Sequence, residues 1–284
     1  MIETRHTSMI EPTLAAAAFG DQPGRWPLPA ATTANQLWWR AVAAGGQGRY
    51  GSAYRDLAVL RRGATSGRLA TPLVSLAHST QGSFLRQLGW HARARGWDGR
   101  ALALAGADPE ARADALIGLA ADALGVGRFA AAAALLSRAD SALAACPIKG
   151  SVPERLPVRR RWVAAELAMA CGDGALAVRH AEDAVEFAKA MSLTTGQAST
   201  RHRIKSEVVL AAALCSAGAT ERARTVAEAA LDATGRSGLV PLRWAVACLL
   251  IDIRSVTFSA QKLVEIRDVC AGQVRRAGGT WPSA

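Results

Sequence analysis

Aromatic residues make up only 5% of this 284-residue chain, and lysine occurs only at Lys149, Lys189, Lys205 and Lys262. Long alternations of Val, Ile, Thr and aromatic residues are missing, so little or no sheet is expected. The five cysteines, at 146, 171, 215, 248 and 270, never pair as CxxC. That excludes a zinc ribbon and a disulfide framework, and it reads as small buried hydrophobes in a reducing, cytoplasmic compartment. No His stands i, i+4 from another and no HExxH occurs, so no metal site is expected. A GxSxG elbow and a Walker A loop are also missing. Ser79 and Ser83 share a helix face near His78, but a mid-helix Ser is usually a packing or surface residue. The best apolar run, Trp244–Ile251, stops at Asp252 and is too short for a bilayer. No signal peptide is evident: Glu3 and Glu11 flank the short patch Leu14–Phe19. These absences exclude most catalytic classes and leave a non-catalytic protein without cofactor, metal, membrane or small-molecule substrate as the expectation.

What is present is alanine, arginine and glycine. Half of the residues are apolar, many of them Ala, which favours closely packed helices over bulky strands. The formal charge is +11, supplied almost wholly by Arg. Arg excess suits an acidic partner, although a GC-rich genome also encodes Arg liberally. Residues 46–51, GQGRYG, and 125–130, GVGRFA, both fit G-x-G-x-x-G/A. A dinucleotide fingerprint must follow a strand. Here the preceding segments are helical: Leu116, Leu119, Ala120, Ala123 and Leu124 fall at i, i+3, i+4, i+7, i+8. These glycines therefore end one helix before another begins.

The two stretches share more than glycine. Gly48-Arg-Tyr-x-x-Ala53 matches Gly127-Arg-Phe-x-x-Ala132, and Gly with Ala five residues on recurs at Gly96/Ala101, Gly172/Ala177 and Gly218/Ala223. Seven residues before each glycine stands a small residue: Ala41, Gly89, Ala120, Ala165 and Ala211. Antiparallel helices joined by a tight turn cross closely only where both carry tiny side chains. This resembles the tetratricopeptide repeat (TPR) family over residues 34–233, with Tyr50 and Phe129 in the aromatic turn place. Asp98, Gly174 and Thr220 replace that aromatic elsewhere, and the glycine spacings of 48, 31, 45 and 46 exceed or miss the family's period of about 34. The resemblance implies an all-α fold of stacked antiparallel helical hairpins in a right-handed, TPR-like superhelix with irregular repeats.

Residues 1–32, with prolines at 12, 23, 27 and 29, read as a flexible N-terminal tail whose Trp26 folds onto the first hairpin or docks on a partner. Hairpins are expected at about 34–62, 73–106, 109–145, 156–191 and 197–234. They group as 33–145 and 158–234 around a hinge at 146–157. Capping helices follow within 235–278, and 279–284 frays as a C-terminal tail.

The TPR resemblance implies a concave groove lined by the first helix of each hairpin. Its register places Trp38, Arg86, Trp90, Arg93, Arg159, Trp162 and Lys205 there. Arg and Trp together are the composition of binding hot spots. The bland alternative packs the tryptophans between first helices. Arg160 and Arg161, with Arg201 and Arg203, would form a basic patch where the fourth and fifth hairpins start. The expected function is a scaffold that binds an acidic or mixed segment of another bacterial protein, in regulation or assembly. A nucleic-acid-binding helical repeat (RNA or DNA) is the alternative, without a recognisable reader motif.

Overall fold

The fold is described by a computed structural model covering residues 2–65, 71–145, 155–194 and 199–282. Those residues form thirteen α-helices and no strand. The first, α1 (Ile2–Phe19), precedes six hairpins: α2 (Ala34–Gly46) with α3 (Tyr50–Thr65), α4 (Thr71–Gln87) with α5 (His91–Leu104), and α6 (Pro109–Gly125) with α7 (Phe129–Ala144). The rest are α8 (Arg155–Ala170) with α9 (Gly174–Thr194), α10 (Thr200–Ser216) with α11 (Thr220–Arg236), and α12 (Val240–Asp252) with α13 (Ala260–Arg276).

The turns follow one local rule. At the end of α2, Gly48 has φ +77°, Gly48 N donates to Gly45 O (3.0 Å) and Arg49 N donates to Ala44 O (2.8 Å). This is a Schellman cap, in which a left-handed residue lets the last carbonyls find donors as the chain reverses. The same bond pair recurs at Gly89, Gly127, Gly172, Gly218 and Gly238, and at Arg254, which adopts φ +57° without being glycine. Helix starts are fixed by side chains where the sequence supplies them. Thr33 and Gln36 form a capping box, Asp108 accepts from Ala111 N, and Ser259 accepts from Lys262 N.

The small residues lie at the helix crossings. Ala41 with Ala53, Ala120 with Ala132, Ala165 with Ala177 and Ala211 with Ala223 are all fully buried. The second hairpin differs from expectation by seven residues. Its turn is Gly89 (φ +83°), Gly82 and Ala94 are the buried small residues seven before and five after it, and Gly96 lies exposed inside α5. Glycines at 82, 89 and 96 let the same pattern slip by two helical turns.

Each first helix touches the first helix of the next hairpin, α2 on α4, α4 on α6, and so on to α12. The second helices pack mainly on the first helices beside them. A stack with that asymmetry curves with its first helices inside. The curve closes on itself: Gly51 N donates to Ala277 O (2.7 Å), Trp90 Nε1 donates to Thr280 O (2.6 Å), and Val274 joins the core of Trp38 and Tyr50. Residues 279–282, expected to fray, are therefore docked, with Trp281 5.1 Å from Trp244. The segment expected as a flexible tail also has structure. It forms α1, whose Leu14, Ala17 and Ala18 are buried, and then crosses the first hairpin, where Gln47 Nε2 donates to Pro23 O (2.8 Å) and Arg49 stacks 3.8 Å from the Trp26 ring. Pro12 does not stop α1, because helix continues through it to Phe19. Positions 146–154 of the expected hinge lie outside the described residues; Arg155 and Leu156, at its end, start α8 and are buried. Among the cysteines, Cys270 is buried as expected, but Cys171 is exposed in the α8–α9 turn.

Candidate functional site

The inner face gathers Trp38 from α2, Trp162 from α8 and His202 from α10 around one residue of α1. Phe19 lies 5.3 Å from Trp38 and 6.3 Å from His202, and His202 stacks on Trp162 at 5.4 Å and 17°. The rings form an unbroken aromatic run from α2 to α8. Each polar ring edge is satisfied: Trp38 Nε1 donates to Thr80 Oγ1 (2.9 Å), Trp162 Nε1 donates to Ser206 Oγ (2.8 Å), and Ser199 Oγ meets His202 Nδ1 (2.6 Å). Such hydrogen bonds fix buried aromatics in orientation as well as place.

Arginines surround the run. The Arg155 and Arg201 guanidinium carbons lie 5.4 and 5.7 Å from the Phe19 ring centre, within cation–π range. Arg155 is buried and pairs with Glu110 (2.5 Å) and Asp114 (3.3 Å); Arg159 also pairs with Asp114. Arg201 has no carboxylate partner among the described residues. Its Nη1 reaches only the Val42 carbonyl, at 3.4 Å. Burial lowers its pKa to about 10, and Arg155 adds to the shift, so it stays charged at neutral pH. His202 is pushed the same way by burial first and then by Arg201, Arg155 and Arg159, which keeps its ring neutral.

A second polar cluster adjoins this one. Arg86 from α4 bridges Asp98 of α5 and Asp122 of α6, whose side chains are wholly buried. Burial opposes the Arg86 charge, but the two carboxylates outweigh it and raise its pKa. Burial also lifts Asp98 far above the ordinary carboxylate range despite Arg86. Two carboxylates cannot both ionise cheaply beside one guanidinium. Gly82 and Gly118 make room for Asp98: a Cβ at either would fall within 2.9 Å of its carboxyl group.

The residues singled out from sequence thus divide. Trp38 and Arg201 lie against Phe19, Trp162 joins them through His202, and Arg159 pairs with Asp114, the carboxylate that Arg155 also reaches. Lys205 stands beside them, its Nζ 5.6 Å from the Trp162 ring and 3.5 Å from Glu166 Oε1. Arg86 is held in its double ion pair through Nη1, while its buried Nη2 has no hydrogen-bond partner. Trp90 and Arg93 leave the inner face, a correction that follows from the seven-residue slip. Helix α4 ends at Gln87, Trp90 caps α5 and holds Thr280, and Arg93 is exposed at 4.2 Å from the Trp90 ring. The run Arg159-Arg160-Arg161 does not form one patch, because consecutive helical residues point about 100° apart. Arg159 faces Asp114, Arg160 grips Asp140 with two bonds of 2.8 and 2.6 Å, and Arg161 reaches Asp183 at 3.2 Å. Arg203 pairs along its own helix with Glu207. Phe19, Arg155 and His202 were not singled out as site residues from sequence. Phe19 is an aromatic ending an apolar patch just before Gly20, a signal that the tail reading hid.

Fold and site together define a protein of stacked α-helical hairpins with a polar, aromatic inner face. No known family profile and no curated protein matches the chain. Among the described residues, no helix is long and apolar enough to cross a membrane.

Proposed function

We propose that this is a TPR-like, non-catalytic scaffold of the bacterial cytoplasm, which uses its inner face to hold a segment of another protein in regulation or assembly. The observation that carries the reading is the aromatic run Trp38–Phe19–His202–Trp162 flanked by Arg201, a cation with no carboxylate partner among the described residues. Rigid aromatics give apolar area for an anchor side chain, and a guanidinium gives a fork for a carboxylate. The TPR-like reading rests on the small–Gly–small marker at the hairpin turns and on first helices forming the inner layer. Five scattered cysteines, an odd number with no CxxC spacing, support a reducing compartment.

A nucleic-acid partner draws less support. Arg159, Arg160, Arg161 and Arg203 are each engaged with a carboxylate, which breaks up the basic patch expected where the fourth and fifth hairpins start. The test is affinity capture from the source cell with wild type and with a Trp162→Ala/Arg201→Glu variant, with and without nuclease. A protein retained by wild type, lost with the variant and indifferent to nuclease is expected. Equal recovery by both would overturn the reading, and recovery lost to nuclease would favour the nucleic-acid alternative.

A further inference from the structure

Helix α1 is a segment of this chain seated where a groove ligand would sit. Its i, i+3, i+4 positions Leu14, Ala17 and Ala18 are buried, while Met9 on its far side is 65% exposed. Its hydrogen bonds to the inner helices among the described side chains reduce to Gln36 Nε2 donating to Glu11 Oε1, at 3.4 Å. The firm contacts are at its C-terminal end. Phe19 lies between the rings of Trp38 and His202 and the guanidinium groups of Arg155 and Arg201. The next carbonyl, Gly20 O, accepts from Thr200 N (3.1 Å) at the start of α10, a helix with no side-chain cap. Arg201 stands at that same helix start. A neutral acceptor oxygen thus sits at the N-terminus of α10, an end of the helix that favours negative charge.

From this we infer that α1 is an internal, displaceable ligand of the inner face, and that the partner is a short helical segment with an aromatic residue followed at once by a carboxylate. The inference deepens the scaffold reading and rests on it for the identity of the site. The partner's ring would take the place of Phe19, beside Arg201, and its carboxylate the place of Gly20 O at the Thr200 amide. Helix α1 offers only the neutral carbonyl there, and its one nearby acid, Asp21, is exposed. A segment carrying both groups would therefore hold the site more strongly than α1 does.

Two measurements on the full chain test this. In hydrogen exchange, the α1 amides are expected to open well before those of α2 and α10; exchange of α1 only together with the whole fold would overturn the inference. In the second, labelled peptides of residues 9–20 are offered to wild type and to a Leu14→Ala/Phe19→Ala variant, each peptide as a C-terminal acid and as an amide. The variant is expected to bind the acid at least tenfold more tightly than wild type does. Within the variant, the acid should bind at least threefold more tightly than the amide, a preference lost on adding Arg201→Ala. No binding by the variant, or equal binding of acid and amide, would overturn it. If both measurements come out as expected but no cellular protein is retained, self-occupancy stands and the scaffold function fails. If a partner is captured while α1 never opens, the scaffold stands and the displaceable ligand does not.

Discussion

Gly89 and Gly96 compete for the role of turn residue in the second hairpin, and replacing each by alanine separates them. Gly89 has φ +83°, a region where an L side chain costs roughly 1–2 kcal/mol. Its surroundings add little: a Cβ there would meet Pro282 at 3.5 Å, an ordinary contact. Gly96 lies in the interior of α5, exposed, with nothing within 4 Å of a Cβ. Alanine there gains about 0.8–1.0 kcal/mol of helix propensity. Gly89→Ala should therefore destabilise and Gly96→Ala stabilise, a gap of roughly 2–3 kcal/mol, or about 4–10 °C in Tm for a chain of this length. Urea titration followed by helical circular dichroism reads the gap directly. If Gly96→Ala is the damaging change and Gly89→Ala the harmless one, the turn is at Gly96. The placement of Trp90 and Arg93 off the inner face would then be wrong.

Three further outcomes follow from the same geometry. Gly118→Ala should destabilise by about 2–4 kcal/mol, because its Cβ would overlap Asp98 Oδ1 and Arg86 pins that carboxylate; unchanged stability in urea would refute the packing. Arg254→Gly should raise stability by about 1 kcal/mol, since Arg254 is exposed and holds the left-handed cap position that glycine fills elsewhere; a loss in thermal unfolding would contradict this. His202 stays neutral in the fold while the unfolded ring takes a proton near pH 6.5, so its contribution is present above that pH and lost as pH falls below it, by at most about 1.4 kcal/mol per pH unit. Asp98, with its raised pKa, acts in the opposite sense over pH 4–7, but it is common to both proteins compared. The fall in stability from pH 7 to 5 should be shallower in His202→Gln than in wild type, and identical slopes would count against a buried neutral ring.

Much of the fold was legible because its determinants are local. The helix at 109–125 announces itself by its apolar period, Leu116, Leu119, Ala120, Ala123 and Leu124, and by the Gly-Val-Gly end. The reading of GQGRYG as a helix end rather than a phosphate loop needed only the helical pattern before it. The site was less legible. Trp38 and Trp162 could be placed on inner helices from the repeat register, but nothing near them in sequence marks Phe19 or Arg155 as their neighbours. Arg159, Arg160 and Arg161 looked like one patch because a string of letters does not show that each turns to a different neighbouring helix.

The sequence by itself determined the hairpins, since a Schellman glycine, a cap and two alanines within about a dozen residues act on their own stretch of backbone. Tertiary structure decided which glycine of the 82, 89, 96 series turns the chain, which arginines are neutralised, where α1 lies, and that the curve closes. Those outcomes depend on contacts such as Trp90 with Thr280 and Arg201 with Val42, separated by 190 and 159 residues. A contact of that range forms only after every intervening hairpin has set its angle, so it leaves no local periodicity or motif behind.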